Sequence, residues 1–443
     1  AAASAGKPTV TTMNKKLSNI FKGDKVIWMV FFFLCMISVV EVFSASSWFT
    51  YKNNNFIMPI VKHSGTILTG VAVAVLTVNI PCRYFKLMTP FLLLVSFLTL
   101  VWVLMAGETV NGAQRVIPIL GFTFQPSEIA KGTMILAEAQ ILSAMQGERG
   151  ADKKAFKYIL CISLPLAFLI MLENLSTAVL LCVVVLLMMI VGRVPMAQVG
   201  KLLGVVAVGA VLALTLVMAV GHDKGREDPR LAKTEVLGAD VAGAEGQKKD
   251  ETVVEKLFHR ADTWKARIDD FLDDTYIPPA DYDLDRDGQV AHANIAIVSS
   301  NVIGRGPGNS VERDFLPQAF SDFIFAIIIE ETGIGGAIVV VFLYIVLLFR
   351  TARIASRCEN NFPAFLAMGL ALMLVVQATF NMLVVVGYVP VTGQPLPLIS
   401  KGGTSTIISC AYIGAILSVS RSAKKAGSSR RGDSQPGAEV EAA

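Results

Sequence analysis

The sequence predicts an all-α polytopic membrane protein of about ten transmembrane helices, with both termini cytoplasmic and a large extracytoplasmic loop before the eighth helix. Three observations predict it. Of 443 residues, 53% are hydrophobic and only 17% charged, and the mean hydropathy is +0.59. The apolar residues arrive in blocks of about twenty, the length a helix needs to cross roughly 30 Å of hydrocarbon. Basic residues gather in alternate loops between those blocks. Open strands cannot cross lipid, and the blocks lack the alternation of a membrane barrel.

In chain order, a cytoplasmic segment 1–26 precedes spans at 27–47, 58–79, 86–106, 125–145, 157–172, 176–192 and 199–221, which make up the region 27–221. The first residues show no signal-peptide pattern, and the first span is long enough to stay in the membrane. Lys15, Lys16, Lys22 and Lys25 lie before the first span, and Arg83 and Lys86 follow the second. Arg149, Lys153, Lys154 and Lys157 follow the fourth, Arg193 and Lys201 the sixth, and Arg350, Arg353 and Arg357 the eighth. An even span count puts all of them on one side, which the positive-inside rule makes cytoplasmic. The region 222–321 is polar. Its first part, from His222 to Asp250, is poor in large apolar residues and is expected to be mobile. In VVEKLFHRADTWKARIDDFL, Val254, Leu257, Trp264, Ile268, Phe271 and Leu272 recur at helical spacing, the pattern of an amphipathic helix on the membrane face. Spans at 322–349, 362–387 and 403–421 make up the region 322–421, and a polar tail, 422–443, is expected to be disordered. The six cysteines are scattered without a CxxC, as packing residues rather than disulfides or zinc ligands, and no internal repeat is visible.

Four polar constellations interrupt the spans. In NGAQRVIPILGFTFQPSEIAK (111–131), Pro126 suits the first turn of a helix. Glu128 and Lys131, three apart, share a face, and Glu138 lies near the same stripe. That arrangement suits either a buried structural pair or a polar cavity open to the outside. Arg115 in the preceding loop can grip phosphate in two-pronged fashion or anchor at the interface. In ENLSTA (173–178), Asn174, Ser176 and Thr177 can cap the sixth span or touch a substrate. Asp322 begins the eighth span. A terminal aspartate is often a helix cap, yet a carboxylate at the water–lipid boundary beside cations also suits a general base. Glu330, eight residues on, is expected to share its face and to tune it or bind a cation, while Glu331 points into the bundle. VPVTGQPLPLISKGGTS (389–405) cannot be regular helix and reads as a re-entrant loop or a tight hairpin, with GGTS opening the tenth span on amide groups that favour anions. A fifth stretch, DYDLDRDGQVAHAN (281–294), spaces Asp283, Asp285, Asp287 and Gly288 like a calcium loop. Asn294 stands where the bidentate glutamate belongs, so a solvated acidic turn is the better reading.

By themselves these features describe a helical bundle with an outward polar cavity holding acids, bases and anion-binding groups, which fits a transporter or a membrane-embedded transferase. Together, NGAQRVI…FQPSEIAK, ENLSTA, GRGPGNS…FLPQAFSDFIFAIIIEETGIGG and NMLVVVGYVPVTGQPLPLISKGGTS resemble the SEDS family, the FtsW/RodA peptidoglycan glycosyltransferases, in family order from about residue 27 to 421. The opening KGDKVIWMVFFFLCMISVVEVFSASS is most similar to FtsW-type division members of Bacteroidetes-type bacteria, with the elongation-specific RodA type as the near alternative. The resemblance implies an enzyme of the inner membrane, at the division septum, that polymerises lipid II onto a nascent glycan strand with undecaprenyl pyrophosphate leaving. It also implies a class B penicillin-binding protein (an FtsI-like transpeptidase) and other divisome proteins as partners, in membrane lipid and without nucleic acid. It carries the essential aspartate to Asp322, the QPSE..K acid and lysine to Glu128 and Lys131, and the GA.R arginine to Arg115. Three positions depart from the family pattern. Asn174 replaces an aspartate, Val116 an aromatic, and Lys401 the tyrosine of SYGGSS.

The mechanism so implied makes Asp322 the base for the acceptor sugar's 4-hydroxyl, with inversion at the donor carbon. Arg115 and Lys131, with a divalent cation (Mg or Mn) as candidate helper, stabilise the departing pyrophosphate, and Glu128 holds Lys131. Gln125, Glu330, Lys401 and Ser405 complete the expected substrate-binding set; the metal ligands are unknown. A lipid II flippase is the rival reading, disfavoured because the polar groups gather in the outer half. A non-catalytic division scaffold would leave Asp322, Arg115 and Lys131 unexplained.

Overall fold

The computed structural model describes residues 21–45, 58–106, 108–110, 113–119, 122–148, 150–220, 265, 288–316 and 319–432. Each expected span falls on one helix. In chain order these are α1 (Lys25–Ala45), α2 (Met58–Asn79), α3 (Cys82–Ala106), α4 (Pro126–Ala144), α5 (Lys153–Glu173), α6 (Leu175–Val191) and α7 (Met196–Val220). A further helix, α8 (Gly288–Ser299), precedes α9 (Ile324–Ala355), α10 (Asn361–Val385) and α11 (Thr404–Gly432). Seven of the described helices are long and apolar enough to cross a membrane, namely α1, α2, α3, α5, α9, α10 and α11. Shorter apolar helices lie at Leu175–Val191 and Met196–Gly209. The 19-residue α4 is long enough but carries Glu128, Lys131 and Glu138.

Contacts divide the chain into two units. One comprises residues 1–199, 283–388 and 392–443; the other comprises 200–282 with 389–391. In the larger unit, α4 and α10 form the middle. The first packs against α3, α5, α6, α10 and α11, and the second also packs against α6, α9 and α11. Lipid tails are as apolar as leucine, so close contact rather than solvent exclusion holds such helices together, and small residues permit it. At the α2–α11 interface a Cβ on Gly414 would lie 2.7 Å from the Ala74 carbonyl, and one on Gly70 2.6 Å from Cys410 Sγ. Asp24 fastens one end of the bundle. Its Oδ1 accepts from Val26 N and Ile27 N at the start of α1 (2.9 and 3.3 Å), and its Oδ2 pairs with Arg350 Nη2 at 2.8 Å.

The structure departs from the sequence-based expectations, or adds to them, in four places. The chain is not purely helical: β1 (Glu108–Val110), β2 (Ala113–Ile119) and β3 (Phe122–Phe124) form an antiparallel sheet, and β4 (Gln146–Gly147) pairs with β5 (Gly150–Ala151). Short turns between helices can pair in this way without entering lipid. The expected tail from residue 422 is helical as far as Gly432. The approach to Asp322 holds α8 and a 3-10 turn, Glu312–Asp314. There the His292 ring stacks on Phe315 at 5.4 Å, and its Nδ1 lies 2.6 Å from Glu312 Oε2. Lastly, α9 is broken at Gly333 (φ 70, ψ −174) into 324–332 and 334–355. The expected amphipathic helix of 253–272, apart from Lys265, the mobile stretch 222–250 and Asp283, Asp285 and Asp287 lie outside the described residues.

Candidate functional site

Asp322 is half-buried in the turn before α9, whose first residue is Ile324. Because the helix starts two residues later, the helical spacing that would align Asp322 with Glu330 does not apply. Ser321, Asn381 and Gly393 lie against it. Ser321 Oγ donates to its Oδ1 at 2.9 Å. Asn381 Nδ2, from α10, donates to its main-chain carbonyl at 2.7 Å. Gly393, at φ +65, is a neighbour as well, and a Cβ there would stand 3.4 Å from Oδ2, at ordinary contact distance. Glycine suits the left-handed backbone there.

The 392–403 loop is irregular and mostly buried, as a re-entrant reading requires. Side chains satisfy its backbone. Asn381 Nδ2 also donates to the Gln394 carbonyl at 2.8 Å, and Gln377 Nε2, one turn earlier on α10, to the Pro395 carbonyl at 3.1 Å. The Tyr344 hydroxyl donates to Pro397 O, and Ser38 Oγ to Ile399 O at 2.6 Å. Leu398 takes the left-handed conformation (φ 66) that a leucine adopts only when its surroundings impose it. Ser400 Oγ donates to Ser321 O at 2.6 Å, and Lys401 N to Phe320 O at 3.0 Å. The loop is therefore stitched to the turn that carries Asp322.

Glu128, Lys131 and Ser405 come together. Lys131 Nζ lies 2.8 Å from Glu128 Oε1 and donates to Gln377 Oε1 at 3.0 Å. Ser405 Oγ donates to Glu128 Oε2 at 3.3 Å, and Tyr412 Oη to the Glu128 carbonyl at 2.8 Å. Lys131 is 0% exposed and Glu128 4%, so the pair ties α4 to α10 and α11 inside the bundle. A hydrogen-bonded chain joins it to Asp322. Lys131 meets Gln377, Gln377 and Asn381 hold the neighbouring carbonyls of Pro395 and Gln394, and Asn381 holds the Asp322 carbonyl. Gln125 Nε2 donates to Ser127 Oγ at 3.1 Å at the start of α4. Glu138 does not join Lys131; it is buried, and neither oxygen meets a hydrogen-bond partner among the described residues.

Lys401 sits beside the Asp322 turn with its Nζ 4.7 Å from the Phe320 ring centroid. Burial, and secondly the Lys62 ammonium, lower its pKa below the ordinary lysine value. Arg115 lies in β2 at a register shift. Val116 pairs with Glu108 and Gln114 with Thr109, leaving Arg115 between them in a bulge. Asn174 caps α6, accepting from Ser176 N and Thr177 N at 3.1 and 3.3 Å, and Gln394 Nε2 donates to Thr177 Oγ1 at 2.8 Å.

Glu330 lies elsewhere. With Glu331 it is 0% exposed and faces the stretch 305–312 rather than Asp322. Sequence reasoning missed this role, and it missed Gln377, Asn381 and Ser400. The four-residue spacing of Gln377 and Asn381 inside an otherwise apolar helix was the available signal.

No group of three or more His, Cys, Asp or Glu side chains converges among the described residues. A divalent cation at Asp322 would depend on one carboxylate together with substrate oxygens, a pattern magnesium accepts, and not on an all-protein cage.

The FTSW_RODA_SPOVE family, described as "Cell cycle protein", matches residues 24–227 and 252–425. A protein of Halomonas elongata, "Probable peptidoglycan glycosyltransferase FtsW", is 32% identical over 81% of this chain and 80% of its own length. Its namesake from Coxiella burnetii is 28% identical over 92% and 98%. Among solved structures, a chain of a peptidoglycan synthase complex that coordinates polymerization and crosslinking superposes with a TM-score of 0.64 at 23% identity, covering 91% of this chain and 99% of that one. The rod shape determining protein RodA of Thermus thermophilus gives 0.59 at 21%, covering 91% and 98%. The broken helix, the buried loop and the Asp322 turn thus occur in a multi-pass membrane protein that belongs to the FtsW/RodA/SpoVE family.

Proposed function

We propose that the protein is a peptidoglycan glycosyltransferase of the inner membrane that polymerises lipid II, with Asp322 as general base. The observation that carries this reading is the setting of Asp322. It is a half-buried carboxylate fixed through its own main chain by Asn381, with Gly393 in van der Waals reach of its Oδ2 and the Lys401 amide bonded to the same turn at Phe320. The similarity to proteins named peptidoglycan glycosyltransferase FtsW supplies the reaction class.

Asp322 removes the proton from the acceptor sugar's 4-hydroxyl. That oxygen attacks the donor's anomeric carbon, and the bond to the pyrophosphate oxygen on the opposite face breaks, with inversion. Negative charge grows on the leaving group, and Lys401 and Arg115 are the cations assigned to it. Lys131 is enclosed by Glu128 and Gln377, so its part is to brace the loop at 394–395 through Gln377. A divalent cation, when bound, would add charge stabilisation at the phosphates. A class B penicillin-binding protein fits as the partner that cross-links the product, and the division septum as the site of action. The synthase-complex relative and the FtsW names support both.

Purified protein with its cognate transpeptidase, given lipid II and read by gel for glycan polymer, tests the reading. General-base catalysis contributes about 10²–10⁴-fold, so Asp322→Asn should lose polymerisation by that order while lipid II binding persists. Polymer at the parent rate from D322N would end the assignment.

A further inference from the structure

The break in α9 is filled by another part of the chain. A break removes amide donors from carbonyls one turn earlier. Here the carbonyls of Glu330 and Glu331 accept from Arg305 N and Gly306 N, at 2.9 and 2.8 Å. The side chains of the same two residues continue the pattern. Glu331 accepts from Gly308 N at 2.9 Å, from Ser310 N at 3.4 Å and from Ser44 Oγ. Glu330 accepts from Val311 N at 3.0 Å, from Glu312 N at 3.3 Å and from Ser310 Oγ. Pro307 has no amide hydrogen, and Asn309 N bonds to Gly306 O. Every other amide from 305 to 312 therefore ends on Glu330 or Glu331. Arg305 Nη1 adds an ion pair to Glu330 at 3.3 Å. Only glycines allow the approach: a Cβ on Gly333 would lie 2.3 Å from Val302 O, and one on Gly304 2.4 Å from Glu331 O.

The piece of α9 between the break and Asp322 is 324–332, about two and a half turns. A helix so short is marginal by itself. One end is held by Asn381 and Ser400 on the main chain of Asp322 and Ser321, and the other by the eight residues gripped at the break. We propose that Glu330 and Glu331 are positioning residues for Asp322: by seating 305–312 in the break, they fix the short half-helix that sets where the aspartate stands. This rests on the assignment of Asp322 as the base. A glutamine at either position would aim an NH₂ group at a backbone N–H, because both oxygens of each carboxylate accept from amides.

The test uses the full chain with its transpeptidase and compares Glu330→Gln, Glu331→Gln and Ser310→Ala with the parent and D322N. Lipid II is titrated to separate kcat from KM, and hydrogen exchange is followed at 302–312 and 319–328. A displacement of about 1 Å can cost 10²-fold, so E330Q and E331Q should lose roughly ten- to a hundredfold in kcat. KM should stay within about twofold, and both segments should exchange faster. S310A keeps both carboxylates and should show a smaller loss with the same exchange pattern, which decides the matter if the glutamine variants do not fold. A purely structural role predicts faster exchange at 302–312 with parental kcat in all variants, and that result would overturn the proposal while D322N stayed inactive. Parental activity in D322N would instead remove the base assignment, and the proposal with it.

Discussion

Lys401 stands where the family pattern has tyrosine, and its position gives that change a consequence. Burial and the Lys62 charge disfavour its ammonium, so it loses its proton at lower pH than an ordinary lysine. If its charge assists the departing phosphate, activity holds below the lowered pKa and falls as pH rises through it. Lys401→Arg keeps the charge to higher pH and should extend the alkaline limb of the pH–rate profile. Lys401→Tyr should remove that limb altogether. An unchanged alkaline limb in both variants, measured at saturating lipid II, would exclude Lys401 from the chemistry. The partnership of Glu128 with Lys131 was legible in their three-residue spacing. That the pair would be sealed at 0% and 4% exposure was not, because spacing fixes a shared face but not what covers it. Glu330 shows the same limit from the other side, since helical spacing does not extend to Asp322, a residue that precedes the helix.

Among the elements, the helices were legible because hydrocarbon thickness dictates their length. The loops were less so. The β1 and β3 strands are three residues long, too short for alternation to register, and the pairing of β2 with β1 is interrupted by a register shift. The Gly333 break was hidden because what permits it, the approach of Gly304, lies 29 positions earlier in the chain. Packing at the α2–α11 interface makes its own prediction. With Gly414 against Ala74 O, Gly414→Leu forces the helices apart and should cost about 1–3 kcal/mol or more, seen as a lower midpoint of thermal unfolding in detergent. An unchanged midpoint would mean that the two helices do not pack this closely. Asn381 links α10 to both the loop and the Asp322 turn. Asn381→Ala should lower kcat by roughly tenfold or more while sparing the fold, since removing it frees two carbonyls at the site. Equal kcat in a folded N381A would show that the turn is held without it.

For the whole molecule, the alternating basic loops predict the orientation. Alkaline phosphatase fused after residue 240 should be active, and after residue 432 inactive. The opposite pattern would invert the bundle and put Asp322 on the cytoplasmic side. One architectural detail bears on how such an enzyme meets its bilayer. An unbroken helix over 324–355 would be about 48 Å long, well beyond the roughly 30 Å of hydrocarbon it must cross, and would have to lean or stretch the lipid around it. Because the run is interrupted at Gly333, the 334–355 portion matches the bilayer at about 33 Å, and tilting to suit a thicker or thinner membrane can be absorbed there. The short portion that precedes it is insulated from that adjustment, so the aspartate can keep its place as the acyl chains around the protein change length.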